Sequence, residues 1–303
     1  MTEGTTIESE LSRVVDGDTI RVFLPGQTQD ESLRILALDT EESHQGGGKP
    51  VTPWGKEAKN KAGQFFSAGD TVLLEFPGNE SAEVCLKRYR GNYGRLLVFV
   101  YKDGKDFQEE MIREGYSPYF VKYGNASFAG HHERYMQAER VAQQNFLGVW
   151  NQIEVNGSEI RNYAVLNTWW TMRARVIDEY RKIKSGYPDL LNTRLDYDTI
   201  ATRAQSGDTV TVFTELRSYK FAGQKSVVVR IGSVKQPFSI FIPDATTDEG
   251  QKILNLLENR YISKGDDYPR RSYAYLTGQL SLYRDKPQMV VTDAEQIKDN
   301  MTS

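Results

Sequence analysis

Three short segments in the first hundred residues hold charged side chains of the kinds that phosphoester hydrolysis needs. They are Val15-Asp16-Gly17-Asp18-Thr19, then Leu33-Arg34-Ile35-Leu36-Ala37-Leu38-Asp39-Thr40-Glu41-Glu42, then Tyr93-Gly94-Arg95. Asp18 and Asp39 are two carboxylates that, with a backbone carbonyl and water, suit a hard cation such as calcium. Glu42 stands three positions after Asp39, where a carboxylate can orient or deprotonate an attacking water. Arg34 and Arg95 carry permanent charge that can neutralise the extra negative charge of a phosphoryl transition state.

Each residue alone also has a plainer reading. Asp16-Gly17 is a favoured turn dipeptide. Arg34 lies in a stretch that is apolar on both faces, as in a central strand, and its guanidinium cannot shed its charge. It must therefore meet a fixed anion or open onto a cleft, and a structural salt bridge and a phosphate clamp are equally open. Arg95 can be a surface arginine that starts a strand. Tyr119, which follows Pro118 in the aromatic patch Tyr116 to Tyr123, can pack, stack on a base or touch a phosphate. His131 and His132 read as a solvated helical pair rather than a metal site.

These residues need elements to place them. Ser12–Leu24 and Leu33–Leu38 are rich in β-branched and aliphatic residues, with turn chemistry at Asp16-Gly17 and Pro25-Gly26. Thr71–Phe76 and Leu96–Tyr101 read as further strands, as do the apolar neighbours of Cys85. Helices are expected at Trp54–Ala68, Phe107–Glu114 and His131–Asn145. Five or so strands with these three helices between and after them fit a small closed barrel with helical flanks, an OB-type five-stranded barrel. Ser43–Thr52, with Gly46-Gly47-Gly48-Lys49-Pro50, is a solvated linker or a flap over a cleft.

Residues 152–205 form a helical connector, with Ile160–Ile183 helical and Trp169 and Trp170 available to pack between domains. Strands return at Asp208–Thr214, Ser226–Ile231 and Phe238–Ile242. A helix at Thr247–Glu258 follows, then strands Ser272–Tyr283 and Gln288–Thr292, the order of an OB-type barrel. The fold class is therefore α+β and mostly β, in three parts: residues 1–151, the connector 152–205, and a second OB-like barrel at 206–303.

Composition sets outer bounds. The 303 residues are 39% hydrophobic and 26% charged, enough for two cores. Net charge is −3, so any contact with nucleic acid comes from local clusters and not from the overall field. Residues 1–150 hold 17 Lys and Arg against 22 Asp and Glu, and the remainder 21 against 19. Cys85 is the single cysteine, which excludes an internal disulfide, and a buried inert thiol is expected. No apolar run reaches membrane-spanning length, so no membrane partner is expected. The N-terminus is acidic and polar, unlike a signal peptide. That points to the cytoplasm, or to a secreted or periplasmic protein if a leader has been removed.

Taken together, Val-Asp-Gly-Asp-Thr, Arg-Ile-Leu-Ala-Leu-Asp-Thr-x-Glu, Tyr-Gly-Arg and the helix ending in Leu-Gly-Val-Trp resemble the staphylococcal (micrococcal) nuclease family. Order and spacing agree over about residues 10–151. The resemblance implies an OB-type barrel that hydrolyses DNA and RNA with calcium, leaving 5′-hydroxyl and 3′-phosphate ends. It places the metal on Asp18, Asp39 and the Thr40 carbonyl, the general base at Glu42, and the catalytic arginines at Arg34 and Arg95. Tyr93 and Tyr119 then fall where family tyrosines contact the nucleotide. Three departures stand out: Glu41 where proline is usual, Gly91-Asn92 before Tyr93, and Val121 where a second stacking tyrosine is often seen.

The expected protein is a calcium-dependent nuclease acting on DNA, single-stranded for preference, with RNA as a further substrate. The second barrel would hold the strand through residues among Arg217, Tyr219, Lys220, Phe221, Lys225, Arg270, Arg271, Tyr273, Tyr275, Tyr283 and Arg284. The alternatives are a non-catalytic nucleic-acid-binding scaffold of the same fold, and a phosphodiesterase acting on a small nucleotide.

Overall fold

The structure, a computed structural model, describes residues 2–44, 51–151, 161–264 and 268–301. The chain divides into two compact units, residues 1–91 with 95–174, and residues 92–94 with 175–303.

The first unit is built on β1 (Thr6–Asp16), β2 (Thr19–Phe23), β3 (Asp30–Ile35), β4 (Thr71–Glu75), β5 (Leu96–Lys102) and the two-residue β6 (Lys105–Asp106). β1 pairs antiparallel with both β2 and β4, β2 with β3, and β4 with β5. The parallel pairing of β3 with β5, Leu33 to Leu96 and Ile35 to Val98, closes the ring. Alternate residues point inward, so Leu11, Ile20, Val22, Leu33, Ile35, Val72, Leu74, Leu96, Val98 and Val100 fill the interior. This is the five-stranded barrel expected from the sequence.

Helices α1 (Pro53–Phe65), α2 (Ala82–Arg88), α3 (Phe107–Arg113) and α4 (Ala129–Gln144) surround it. α1 opens on Pro53, whose missing N–H is no loss in a first turn. Cys85 is buried as expected, but it lies on α2 and not on a strand. Its apolar neighbours alternate too briefly to separate the two periods, and the Ser81 cap and the charges at 83, 87 and 88 complement a helix.

His131 differs more sharply from the solvated pair expected of it. It is fully buried, with its two ring nitrogens 2.8 Å from Glu75 Oε2 and 3.2 Å from Glu3 Oε1. Burial alone would raise the Glu75 carboxyl. It is instead held down to about 2 by hydrogen bonds from His131, the Tyr101 hydroxyl and the backbone amides of Gly4 and Glu3.

Helix α5 (Tyr163–Gly186) contains the boundary between the units, and its first half buries Leu166, Trp169 and Trp170 in the core of the first unit. The two tryptophans, expected to pack between domains, thus extend the barrel's own core. Ser185-Gly186-Tyr187-Pro188 ends the helix as expected.

In the second unit, β7 (Leu191–Asn192) and α6 (Tyr197–Ser206) lead into β8 (Thr209–Glu215), β9 (Tyr219–Ala222), β10 (Ser226–Gly232) and β11 (Pro237–Ile242). α7 (Asp248–Leu256) follows, then β12 (Tyr273–Tyr283), β13 (Lys286–Val290) and β14 (Ile297–Lys298). β8 pairs with β12, β12 with β13, β13 in parallel with β11, β11 with β10, and β10 with β9. Taken as one strand bent at residues 216–218, β8 and β9 complete the same circuit of pairings as the first barrel. Tyr273 and Tyr275, expected on a binding surface, are buried against Phe213, with Tyr273 stacked at 5.3 Å. Among the described residues no helix is long and apolar enough to cross a membrane.

The low value at Glu75 means its contribution to stability is complete above the ordinary carboxylate range, near 4.5, and is lost as pH falls towards 2. Glu75→Gln should cost about 2–3 kcal/mol at pH 7 in urea denaturation, and that deficit should shrink by more than half at pH 3.

Candidate active site

Asp18 and Asp39 come from two separate connections of the first barrel. Asp18 lies in the two-residue turn between β1 and β2, where Asp16 pairs with Thr19. A Cβ on Gly17 would come within 2.8 Å of both Ala58 on α1 and Thr40, so only glycine lets the turn approach so closely. Asp39 follows β3 after a turn in which Ala37 takes a left-handed φ of 64°. That costly conformation is held by Phe120 N–H donating to the Ala37 carbonyl (2.8 Å) and by Asp39 N–H donating to Ser117 Oγ (2.8 Å).

Arg34 joins the two carboxylates. Its Nη1 lies 2.5 Å from Asp18 Oδ2, and its Nη2 lies 2.8 Å from Asp39 Oδ1 and 3.0 Å from the Leu38 carbonyl. With 19% of its side chain exposed, it stands at the border between the barrel and solvent. Of the two readings open for this residue, the salt bridge is present, and it is made to both of the candidate metal carboxylates.

The network continues in both directions. Thr19 Oγ1 donates to Asp18 Oδ1 (2.9 Å) and accepts from Arg95 Nη1 (3.2 Å), and Thr40 N–H donates to Asp18 Oδ2 (3.2 Å). Arg95, Thr19, Asp18, Arg34 and Asp39 thus form one connected chain of partners. Glu42 is partly buried, and its backbone bridges in parallel to Val51. A Cβ on Gly55 would sit 2.1 Å from the Glu42 carbonyl, so glycine at this position of α1 brings the helix backbone directly onto the Glu42 segment. The glycine-rich stretch Gly46–Pro50 lies outside the described residues.

The two tyrosines are placed differently from each other. Tyr93 is 82% exposed. Tyr119 is only 3% exposed, and its hydroxyl lies 3.0 Å from His132 Nδ1 and accepts from Ala126 N–H at 2.9 Å.

Sequence reasoning missed two residues that precede and open α5. Arg161 Nη1 donates to Asp39 Oδ2 (2.7 Å), and the Tyr163 hydroxyl donates to Glu41. Glu41, which departs from the usual proline, is fully buried against that hydroxyl, and this pairing raises the Tyr163 hydroxyl well above its ordinary value after burial has done most of the work. Asp39 and Glu41 are two apart, as are Arg161 and Tyr163, so the segment at the start of α5 meets the segment after β3 at two points. A charged residue in a proline's position was the only trace of this contact in the sequence.

The donors expected from the sequence are all oxygen: the carboxylates of Asp18 and Asp39 and the carbonyl of Thr40. Among the described residues no group of three His, Cys, Asp or Glu side chains gathers to hold a metal. Such a set fits a hard, oxygen-seeking cation completed by water and substrate, and does not fit a zinc-like ion that wants nitrogen or sulfur.

A closed barrel with parallel β3–β5, an acidic pair bridged by an arginine and a second arginine one hydroxyl away define the class. The chain matches the family profile described as "Staphylococcal nuclease homologue" over residues 32–152. It is 31% identical to the thermonuclease of Staphylococcus hyicus over 139 residues, which is 46% of this chain and 73% of that protein. The chain belongs to the staphylococcal nuclease family. It is also 31% identical to two Bacillus subtilis proteins, the SPbeta prophage-derived endonuclease YokF over 149 residues and the endonuclease YncB over 145. Those matches span 48% and 47% of this chain, but only 45% and 61% of the respective relatives.

Proposed function

We propose that this chain is a calcium-dependent nuclease that hydrolyses phosphodiester bonds of DNA, preferring single strands and also accepting RNA, to 5′-hydroxyl and 3′-phosphate products. The observation that carries this reading is Arg34 held between Asp18 and Asp39, with Arg95 joined to the same acids through Thr19. A scaffold that only binds has no use for two buried carboxylates that share an arginine at the solvent border. The names of its family relatives, thermonuclease and endonuclease, agree with the same chemistry.

In this proposal Asp18, Asp39 and the Thr40 carbonyl hold the calcium. Bound there, calcium would supply Lewis-acid stabilisation of the phosphate's developing charge. Glu42 orients the attacking water and accepts its proton. As the water oxygen bonds to phosphorus, the bond from phosphorus to the 5′ oxygen breaks and that oxygen takes up a proton. Arg34 and Arg95 offset the charge that gathers on the phosphoryl oxygens. Tyr93, the exposed ring, is assigned the nucleotide contact, while Tyr119 ties down the 117–126 segment through Ala126. Residues 1–151 carry the chemistry and 152–205 connect. Residues 206–303 hold the strand through exposed side chains such as Lys220, Phe221, Lys225, Tyr283 and Arg284.

Labelled single-stranded DNA should be cut with calcium and left intact with chelator, and Glu42→Gln should lower the rate at least a hundredfold. Tight binding without cutting under calcium or magnesium would overturn the enzyme reading in favour of the scaffold. Phe221, 57% exposed, gives a separate test. Phe221→Ala should weaken binding of a labelled oligonucleotide about tenfold, as loss of one stacked base does, and unchanged binding would remove the second barrel's assigned role.

A further inference from the structure

Both oxygens of Asp39 are engaged by guanidiniums, Oδ1 by Arg34 and Oδ2 by Arg161. The two arginines are anchored differently. Arg34 belongs to a barrel strand and is fixed by Asp18 and the Leu38 carbonyl as well. Arg161 precedes α5, beyond the family match that ends at residue 152, and its guanidinium faces the rings of Tyr163 and Trp170 at 5.6 and 5.5 Å.

We propose that Arg161 is a positioning residue of this site, a resident counter-cation on Asp39 that an incoming divalent cation must displace. The proposal rests on the reading that Asp18 and Asp39 hold a cation. A divalent ion on Oδ2 would sit within a few ångströms of the guanidinium. Arg161 is only 8% exposed, so water and salt screen that repulsion weakly. The ion and Arg161 are therefore alternatives for the same oxygen, and Arg34 stays because its central strand and the Leu38 carbonyl hold it as well. Arg161 sets how tightly the site takes a cation, and cation binding frees the segment that opens α5. The same segment carries Tyr163, whose bond to Glu41 keeps it near the site after Arg161 lets go.

The test is calcium titration calorimetry on the full chain as wild type, Arg161→Gln and Asp39→Asn. Arg161→Gln should bind calcium at least tenfold more tightly than wild type, and Asp39→Asn should lose binding. A purely structural arginine, whose loss loosens the site, would weaken calcium binding. Equal or weaker binding by Arg161→Gln, with Asp39→Asn still inactive as a ligand, overturns this proposal and leaves the metal reading standing. Asp39→Asn binding as well as wild type, or silence from all three proteins, removes the metal reading and this proposal with it. Hydrogen exchange on the wild type needs no variant. Calcium should slow exchange around Asp18 and Asp39 and speed it over residues 161–166, and slower exchange in both segments overturns the displacement.

Discussion

The shared salt bridge of Arg34 with Asp18 and Asp39 is the constraint around which the first barrel is arranged. Two carboxylates drawn out of water repel each other and are costly to hold together unless a fixed positive charge stands between them. Arg34 supplies that charge because β3 is hydrogen-bonded on both sides, to β2 and to β5, and so cannot move its side chain's origin. The flanking features serve the same arrangement. Gly17 lets the Asp18 turn close, Ala37 accepts a left-handed turn to bring Asp39 back, and Ser117 meets the Asp39 amide. Breaking the salt bridge would remove the one charge common to both acids, in a site that the backbone has already strained to form.

The two barrels show how little of this the fold alone decides. Both run through the same circuit of strand pairings, including one parallel pair that closes the ring. In the first, the strand of that pair carries Arg34 towards two acids. In the second, the corresponding strand β11 reads Pro237-Phe-Ser-Ile-Phe-Ile and alternates inward apolar residues with small or apolar outward ones. The chemistry belongs to side chains placed on a common frame.

Much of the first barrel was legible because its strands are bounded by turn residues and its helices carry continuous apolar stripes. The acids and arginines were legible as a set, since their types and spacing match a family pattern even though each is ambiguous alone. What escaped was tertiary. Cys85 lies in a stretch too short to fix a period. His131 looked like a surface residue because its partners Glu75, Tyr101 and Glu3 are far away in the chain. Tyr273 and Tyr275 looked like a binding face because strand aromatics read the same whether they stack on a base or on Phe213. Arg161 and Tyr163 sit more than a hundred residues from the acids they meet, and no local pattern links the two segments.

One guanidinium joins both acids and, in the proposed reaction, also meets the substrate phosphate. Arg34→Lys tests this most directly, because lysine keeps the charge but not the fork that reaches two carboxylates at once. The rate of calcium-dependent cleavage of labelled DNA should fall at least a hundredfold while the variant's melting temperature shows it still folded. A folded Arg34→Lys protein that cuts within threefold of the wild-type rate would contradict the account.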